Sequence, residues 1–228
     1  MSLKKTYSPV HLIPLLLIFL FYLVAKKVST NILVDCGKSL EALIVILRGI
    51  FLESSLFFYV FFIMRKNSIT MQSELGIYIR KIDILWGVLA YFAYVFILLI
   101  LNYFLPIKST ETRAALLIDY LVSNTHYYTL SLFFVYGSLL APIAEEIIFR
   151  GFLWRILEEK KINRYMIFVV TSLLFAFFHL DFSMVPSLFI SGLIFGLLKM
   201  RTNRLGVSII AHAIGNFVGI IALIIFYS

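Results

Sequence analysis

The feature that most constrains this chain is a succession of about seven apolar stretches, near 10–25, 41–64, 84–105, 127–154, 165–180, 184–199 and 205–227. Each is read as long enough to cross a hydrocarbon core roughly 30 Å thick at about 1.5 Å per helical residue. A backbone crossing lipid must satisfy its own polar groups, and the stretches lack strand alternation, so they are predicted to be helices. With 62% hydrophobic and 14% charged residues over 228 positions, no part of the sequence reads as a soluble domain, linker or long internal repeat. The expected architecture is all-α: one polytopic transmembrane helix bundle, a single integral membrane domain spanning 1–228. The first stretch follows Lys4 and Lys5 without an A-x-A-like cleavage site, so it is read as an anchor and not as a signal peptide. The lone cysteine, Cys36, excludes an intramolecular disulfide and a Cys-based metal cluster.

The net charge of +8 could suggest nucleic acid, but the basic residues sit between apolar stretches, where they report topology. With the N-terminus inside, thirteen Lys and Arg residues face the cytoplasm and five the other side, while Arg48 and Arg150 lie within segments. The expectation is an N-in, C-out integral membrane protein, with the bilayer as partner and no nucleic acid. Pro106 is expected to end the third segment and Pro186 to open the sixth. Pro142 interrupts the fourth, which with its polar tail to residue 158 would run about 48 Å as one straight helix, so a kink or restart is expected there. Such a break would put Glu145 and Glu146 in the first turn of a resumed helix, where the dipole favours negative charge.

Charges inside membrane segments cost roughly 2.5–3.5 kcal/mol each on insertion scales, so they face the bundle interior, pair, or function. In the run APIAEEIIFRG, Glu146 and Arg150 are four residues apart and can pair on one helical face, leaving Glu145, about 100° round, for another partner. Phe175 and His179 share a face of the next segment, and His212 and Asn216 a face of the last. Counted from their shared basic boundary, these groups lie at depths of roughly 12–21 Å and can meet in one layer. Such a layer holds what hydrolysis needs: a carboxylate to take a proton from water, an imidazole to orient it, and N–H donors for an oxyanion. No Ser or Cys nucleophile paired with a base and no H-E-x-x-H helix is present.

The motifs E-E-x-x-x-R (Glu145, Glu146, Arg150), F-x-x-x-H (Phe175, His179) and H-x-x-x-N (His212, Asn216), in this order, resemble those of the CPBP intramembrane proteases. This family is also called Abi and includes the type II CAAX prenyl endopeptidases. The resemblance covers roughly residues 130–220; the first 120 share only their hydrophobic helices. It implies an intramembrane endopeptidase in which Glu145 and His179 activate water and His212 and Asn216 form the oxyanion site. Glu146, Arg150 and Phe175 would support the helices or touch substrate, and no cofactor would be required. The substrate would be a peptide or protein, lipidated or not, in bacteriocin or peptide maturation, prenylated C-terminus processing or self-immunity. The short chain favours a bacterial-type member.

Two alternatives stay open at the level of sequence. Glu145, His179 and His212 are the ligand types of a catalytic zinc or other divalent metal site, although scattered over three segments. A non-catalytic immunity protein or a transporter-like protein would also bury polar groups. Elsewhere, Gly192 and Gly196, and Gly215 and Gly219, match small-x-x-x-small patterns that predict close helix contact. Arg48 and Glu53 look like a second buried polar pair, though five residues is poor spacing for a direct one; they are expected to face the cavity or a neighbouring helix and are given no catalytic role. His11 and His126 are read as interfacial, and Trp86 and Tyr127 as parts of an aromatic belt.

Overall fold

The computed structural model describes residues 38–66, 75–104, 112–124, 126–179 and 181–228, with five isolated positions between 13 and 20. The anchor reading of 10–25 therefore lies almost wholly outside the described residues. So do the readings on Lys4, Lys5, His11, Cys36 and Pro106.

The described chain is helical, with no strand among the described residues: α1 (Lys38–Lys66), α2 (Lys81–Phe104), α3 (Arg113–Ser123), α4 (Tyr127–Glu159), α5 (Arg164–Phe178), α6 (Val185–Thr202) and α7 (Leu205–Tyr227). Five of them, α1 (from Ala42), α2, α4, α6 and α7, are long and apolar enough to cross a membrane. The helix α5 is apolar but has 15 residues, and α3 is shorter still. The sequence patterning thus places the elements, and α5 is the predicted segment that falls short of spanning length. Pro186 lies in the first turn of α6, where its missing N–H has no helical partner to lose.

The last helix, α7, organises the bundle, packing against α2, α3, α4 and α6, while α5 lies along α6. Its N-terminus is capped by an adjacent turn: the carbonyl of Gly76, at φ +67, accepts from the backbone N–H of both Leu205 (3.1 Å) and Gly206 (3.4 Å). A Cβ on Gly206 would stand 2.3 Å from the Tyr78 carbonyl oxygen, so this approach requires glycine. Arg204, at the same end, forms an ion pair with the buried Asp83 of α2, and Lys199 Nζ donates to the Leu75 carbonyl. The basic end of the bundle is tied together by charge as well as by packing. The apolar core, from Leu52 and Leu56 of α1 to Phe152 of α4, Phe175 of α5 and Ile209 of α7, surrounds the middle of α4.

Pro142 does not break α4. Every junction between residues 135 and 154 keeps right-handed helical backbone angles, and two wide turns, Tyr136–Leu140 and Ile147–Leu153, flank the short α-helical stretch Ala141–Glu146. The expected restart, with Glu145 and Glu146 on a free helix N-terminus, is therefore corrected. The strain is absorbed by widening the turn: the Ala141 N–H bonds back five residues to the Tyr136 carbonyl. One carbonyl is freed as a result. Gly137 loses its four-residue donor, Ala141, to Tyr136, and its five-residue donor would be Pro142, which has no N–H.

Candidate active site

That freed carbonyl is where the last helix attaches. Asn216 Nδ2 donates to Gly137 O at 2.8 Å, and one turn back along α7 the His212 ring enters the centre of the bundle. Glu145, on α4, stands between two imidazoles. Its Oε1 is 3.8 Å from His179 Nε2 and its Oε2 3.8 Å from His212 Nε2, separations beyond a direct hydrogen bond that a water can bridge. The carboxylate is 5% exposed and His212 3%, whereas the His179 side chain is 28% exposed, so access to this centre is from the His179 side.

Both rings have their tautomers fixed by the partner on Nδ1. In His179, which ends α5, Nδ1 lies 2.9 Å from the Phe175 carbonyl oxygen; a carbonyl can only accept, so Nδ1 carries the hydrogen. The neutral ring then turns a lone pair on Nε2 toward Glu145. In His212, Nδ1 lies 3.1 Å from Glu146 Oε1, an oxygen that also accepts from Arg150 Nη1 at 2.9 Å. A carboxylate held by a guanidinium accepts, so His212 Nδ1 donates, and its Nε2 can donate toward the centre only as imidazolium.

Glu146 and Arg150 are both fully buried, and the structure shows what the i,i+4 pair is for. Arg150 Nη2 donates to the Gly192 carbonyl of α6 at 3.0 Å, while the guanidinium lies 4.4 Å from the Phe175 ring centroid on α5. One side chain therefore bonds α6, packs on α5 and, through Glu146, orients His212 of α7. Phe175 stands edge-on to both imidazoles, at 5.0 Å from His179 and 5.5 Å from His212. Phe195 stacks on His212 at 4.6 Å with an interplanar angle of 19°.

Close helix approach makes these contacts possible. A Cβ on Gly192 would lie 3.1 Å from the Ser172 carbonyl oxygen, and one on Gly196 2.9 Å from the Phe168 ring, so this pair forms the predicted tight crossing of α5 and α6. Gly215 and Gly219 have nothing within 4 Å of a built Cβ, which corrects the same expectation for them. The period matches in both cases, but only the first pair faces a neighbour among the described residues.

Of the residues singled out from sequence, Glu145, Glu146, Arg150, Phe175, His179 and His212 come together. Asn216 stands one turn beyond, anchored to Gly137. Glu53 joins them from outside the three motifs. It is buried at 8% exposure, accepts from Tyr136 Oη at 2.7 Å and faces Glu145 from α1. A glutamate in the middle of a membrane helix, five residues from Arg48, is the available signal; its partners lie 83 and 92 positions away, beyond any spacing rule. Among the described residues, no group of three His, Cys, Asp or Glu side chains is arranged to hold a metal ion.

Comparison with known proteins finds one family profile and one relative. The sequence profile of the Rce1-like proteins, type II CAAX prenyl endopeptidases, matches residues 127–218. The membrane-embedded CAAX protease MroQ of Staphylococcus aureus (strain USA300) is 37% identical over 90 residues, which make up 37% of this chain and 36% of MroQ. The chain thus matches about a third of that relative's length. No solved structure matches. The matched residues run from the start of α4 into α7 and contain every side chain of the centre except Glu53. Over residues 127–218, the segment that holds the Glu145 centre, the chain is similar to the Rce1-like type II CAAX prenyl endopeptidases.

Proposed function

We propose that the protein is a glutamate-dependent intramembrane endopeptidase that hydrolyses a peptide bond without a covalent intermediate. The observation that carries this reading is the position of Glu145, 3.8 Å from an imidazole nitrogen on either side. A water between Glu145 Oε1 and His179 Nε2 would donate one hydrogen to each, because both atoms present lone pairs, and would aim an oxygen lone pair at a carbonyl carbon. On attack, Glu145 takes the proton, hydroxide adds to the carbonyl, and negative charge moves from the carboxylate to the new oxyanion.

An imidazolium at His212 suits that oxyanion. It stands between Glu146 at 3.1 Å and Glu145 at 3.8 Å, so the protein holds the positive charge in place before reaction and has nothing to reorganise as charge moves. Asn216 has two amide hydrogens. Anchoring one on Gly137 leaves the second as another oxyanion donor. Collapse of the tetrahedral intermediate breaks the C–N bond, and Glu145 returns its proton to the leaving amine.

The substrate on this reading is a membrane-associated peptide or protein, lipidated or not, approaching from the His179 side. The basic residues Arg65, Lys66, Arg80, Arg155, Lys160, Lys161, Arg164, Lys199, Arg201 and Arg204 all lie at one end of the spanning helices, which supports a cytoplasmic placement of that end in a bacterial cell membrane. The deciding experiment is comparative peptidomics of cells carrying the wild type or Glu145→Ala, with protein levels matched. Cleavage products present only with the wild type, and still formed by purified protein under a strong chelator, are expected. Identical peptidomes would end the proposal, and loss under chelator would replace it with a metal-dependent one.

A further inference from the structure

The charges around Glu145 do not balance unless one more proton is present. Glu145 and Glu146 are two carboxylates and Arg150 one guanidinium, so the centre reaches neutrality only with a second positive charge, which an imidazolium at His212 would supply. Glu53 is a third buried carboxyl group, facing Glu145 across the contact of α1 with α4. Its Oε1 accepts from Tyr136, while its Oε2, like Glu145 Oε2, is buried with no donor among the described residues. Ionised, it would add an uncompensated negative charge beside another carboxylate in low dielectric. Two facing carboxyl groups with unsatisfied oxygens are both satisfied by one hydrogen between them.

We propose that Glu53 is a positioning residue for Glu145: the two carboxyl groups share one hydrogen, which holds the Glu145 carboxylate in place between His179 and His212. The inference rests on the hydrolytic reading above for its effect on rate, though not for the shared hydrogen itself. The site is built for the arrangement. Gly49, one turn before Glu53, leaves the space that the Tyr136 hydroxyl occupies, since a Cβ there would stand 2.6 Å from Tyr136 Oη. The wide turn at Tyr136–Leu140 sets the start of α4 against α1, and Glu53, Tyr136 and Ala144 line a cavity of about 160 Å³ beside Glu145. The groups facing Glu53 are Glu145 and Tyr136 on α4. Those facing Glu145 are His179 on α5, His212 on α7 and, on its own helix, Glu146 and Arg150. Residue 53 lies outside the segment 127–218 that the family profile matches, so this contact comes from a part of the chain beyond that profile.

Infrared spectroscopy of the purified protein in bilayers tests the shared hydrogen directly. The wild type should show the C=O stretch of a protonated carboxylic acid at neutral pH, and Glu53→Gln should lose it. No such band, or a band unchanged in the variant, overturns the proposal whether or not the protein cleaves anything. Kinetics on a peptide identified by the peptidomic comparison tests the positioning role. Glutamine can donate N–H to Glu145 as the protonated acid does, so Glu53→Gln should keep most of kcat. Glu53→Leu, which cannot donate, should lower kcat about ten- to a hundredfold with KM unchanged. Full kcat in the leucine variant, or equal damage from both, overturns it. Absence of any Glu145-dependent cleavage by the wild type would instead reject the hydrolytic reading and leave the infrared result to decide on the hydrogen.

Discussion

His212 Nδ1 and Glu146 Oε1 meet at 3.1 Å from positions 66 residues apart, and that contact determines what the opposite ring nitrogen can do. Glutamine at 146 would still accept from His212 but would no longer supply the negative charge that holds an imidazolium or compensates Arg150. Glu146→Gln should therefore lower kcat by about 10²–10³-fold, the effect of losing an oxyanion donor. It should also destabilise the fold by about 3–5 kcal/mol, because a buried guanidinium is left unpaired. Adding Arg150→Met should restore most of the stability and none of the activity. Thermal unfolding in detergent, run beside the cleavage assay, separates the two effects; recovery of cleavage in the double variant would show that the carboxylate served only Arg150.

Pro142 should matter through the hydrogen it lacks. Alanine at 142 would supply an N–H five residues beyond Gly137 and let the helix compete for the carbonyl that anchors Asn216. A proline inside a helix ordinarily costs about 3 kcal/mol, so Pro142→Ala should be at least as stable as the wild type. Its kcat should nevertheless fall toward that of Asn216→Ala. A Pro142→Ala protein with full activity would mean that the Asn216 anchor does not depend on the proline.

Much of this centre was legible in the sequence for a simple reason. Pairs four residues apart on a helix share a face whatever the tertiary structure does, so Glu146 with Arg150, Phe175 with His179 and His212 with Asn216 could be placed by spacing alone. Relations between helices could not. That Arg150 reaches Gly192, that Phe195 stacks on His212, and that Glu53 faces Glu145 depend on rotations about helix axes that a uniformly apolar surface leaves undetermined. The same indifference explains the glycines: Gly192 and Gly215 head identical four-residue patterns, and only the neighbour, invisible to the pattern, tells them apart. The wide turns at Tyr136 and Ile147 had one sequence cue, Pro142, which signalled a disturbance without fixing its form.

Opposite outcomes are expected for two glycines of α7. Gly206→Ala would set a methyl group 2.3 Å from the Tyr78 carbonyl oxygen, a backbone atom of the turn that caps the helix, so relief requires moving that turn. An overpacking cost of about 1–3 kcal/mol is expected, with a lower melting temperature. Gly215→Ala meets nothing within 4 Å and removes backbone freedom from the unfolded chain, which should raise stability by about 0.5–1 kcal/mol. Should Gly215→Ala destabilise the protein instead, α7 must have a neighbour there in the membrane, and cross-linking would identify it.

The orientation of the bundle can be settled without knowing a substrate. With Cys36, the only cysteine, replaced by serine, single cysteines at Lys160 and Ser183 would report on opposite ends of α5 and α6, since both positions are exposed in the connections that flank these helices. The end that holds Lys160, Lys161, Arg164, Lys199, Arg201 and Arg204 is the one that its positive charge is expected to keep in the cytoplasm. In intact cells a membrane-impermeant maleimide should label Ser183→Cys and not Lys160→Cys, and permeabilisation should make both react. Since α5 has only 15 residues and His179 lies at its Ser183 end, the same experiment shows from which side water and peptide reach Glu145. Labelling of Lys160→Cys alone would invert the protein and place entry to the site on the cytoplasmic face.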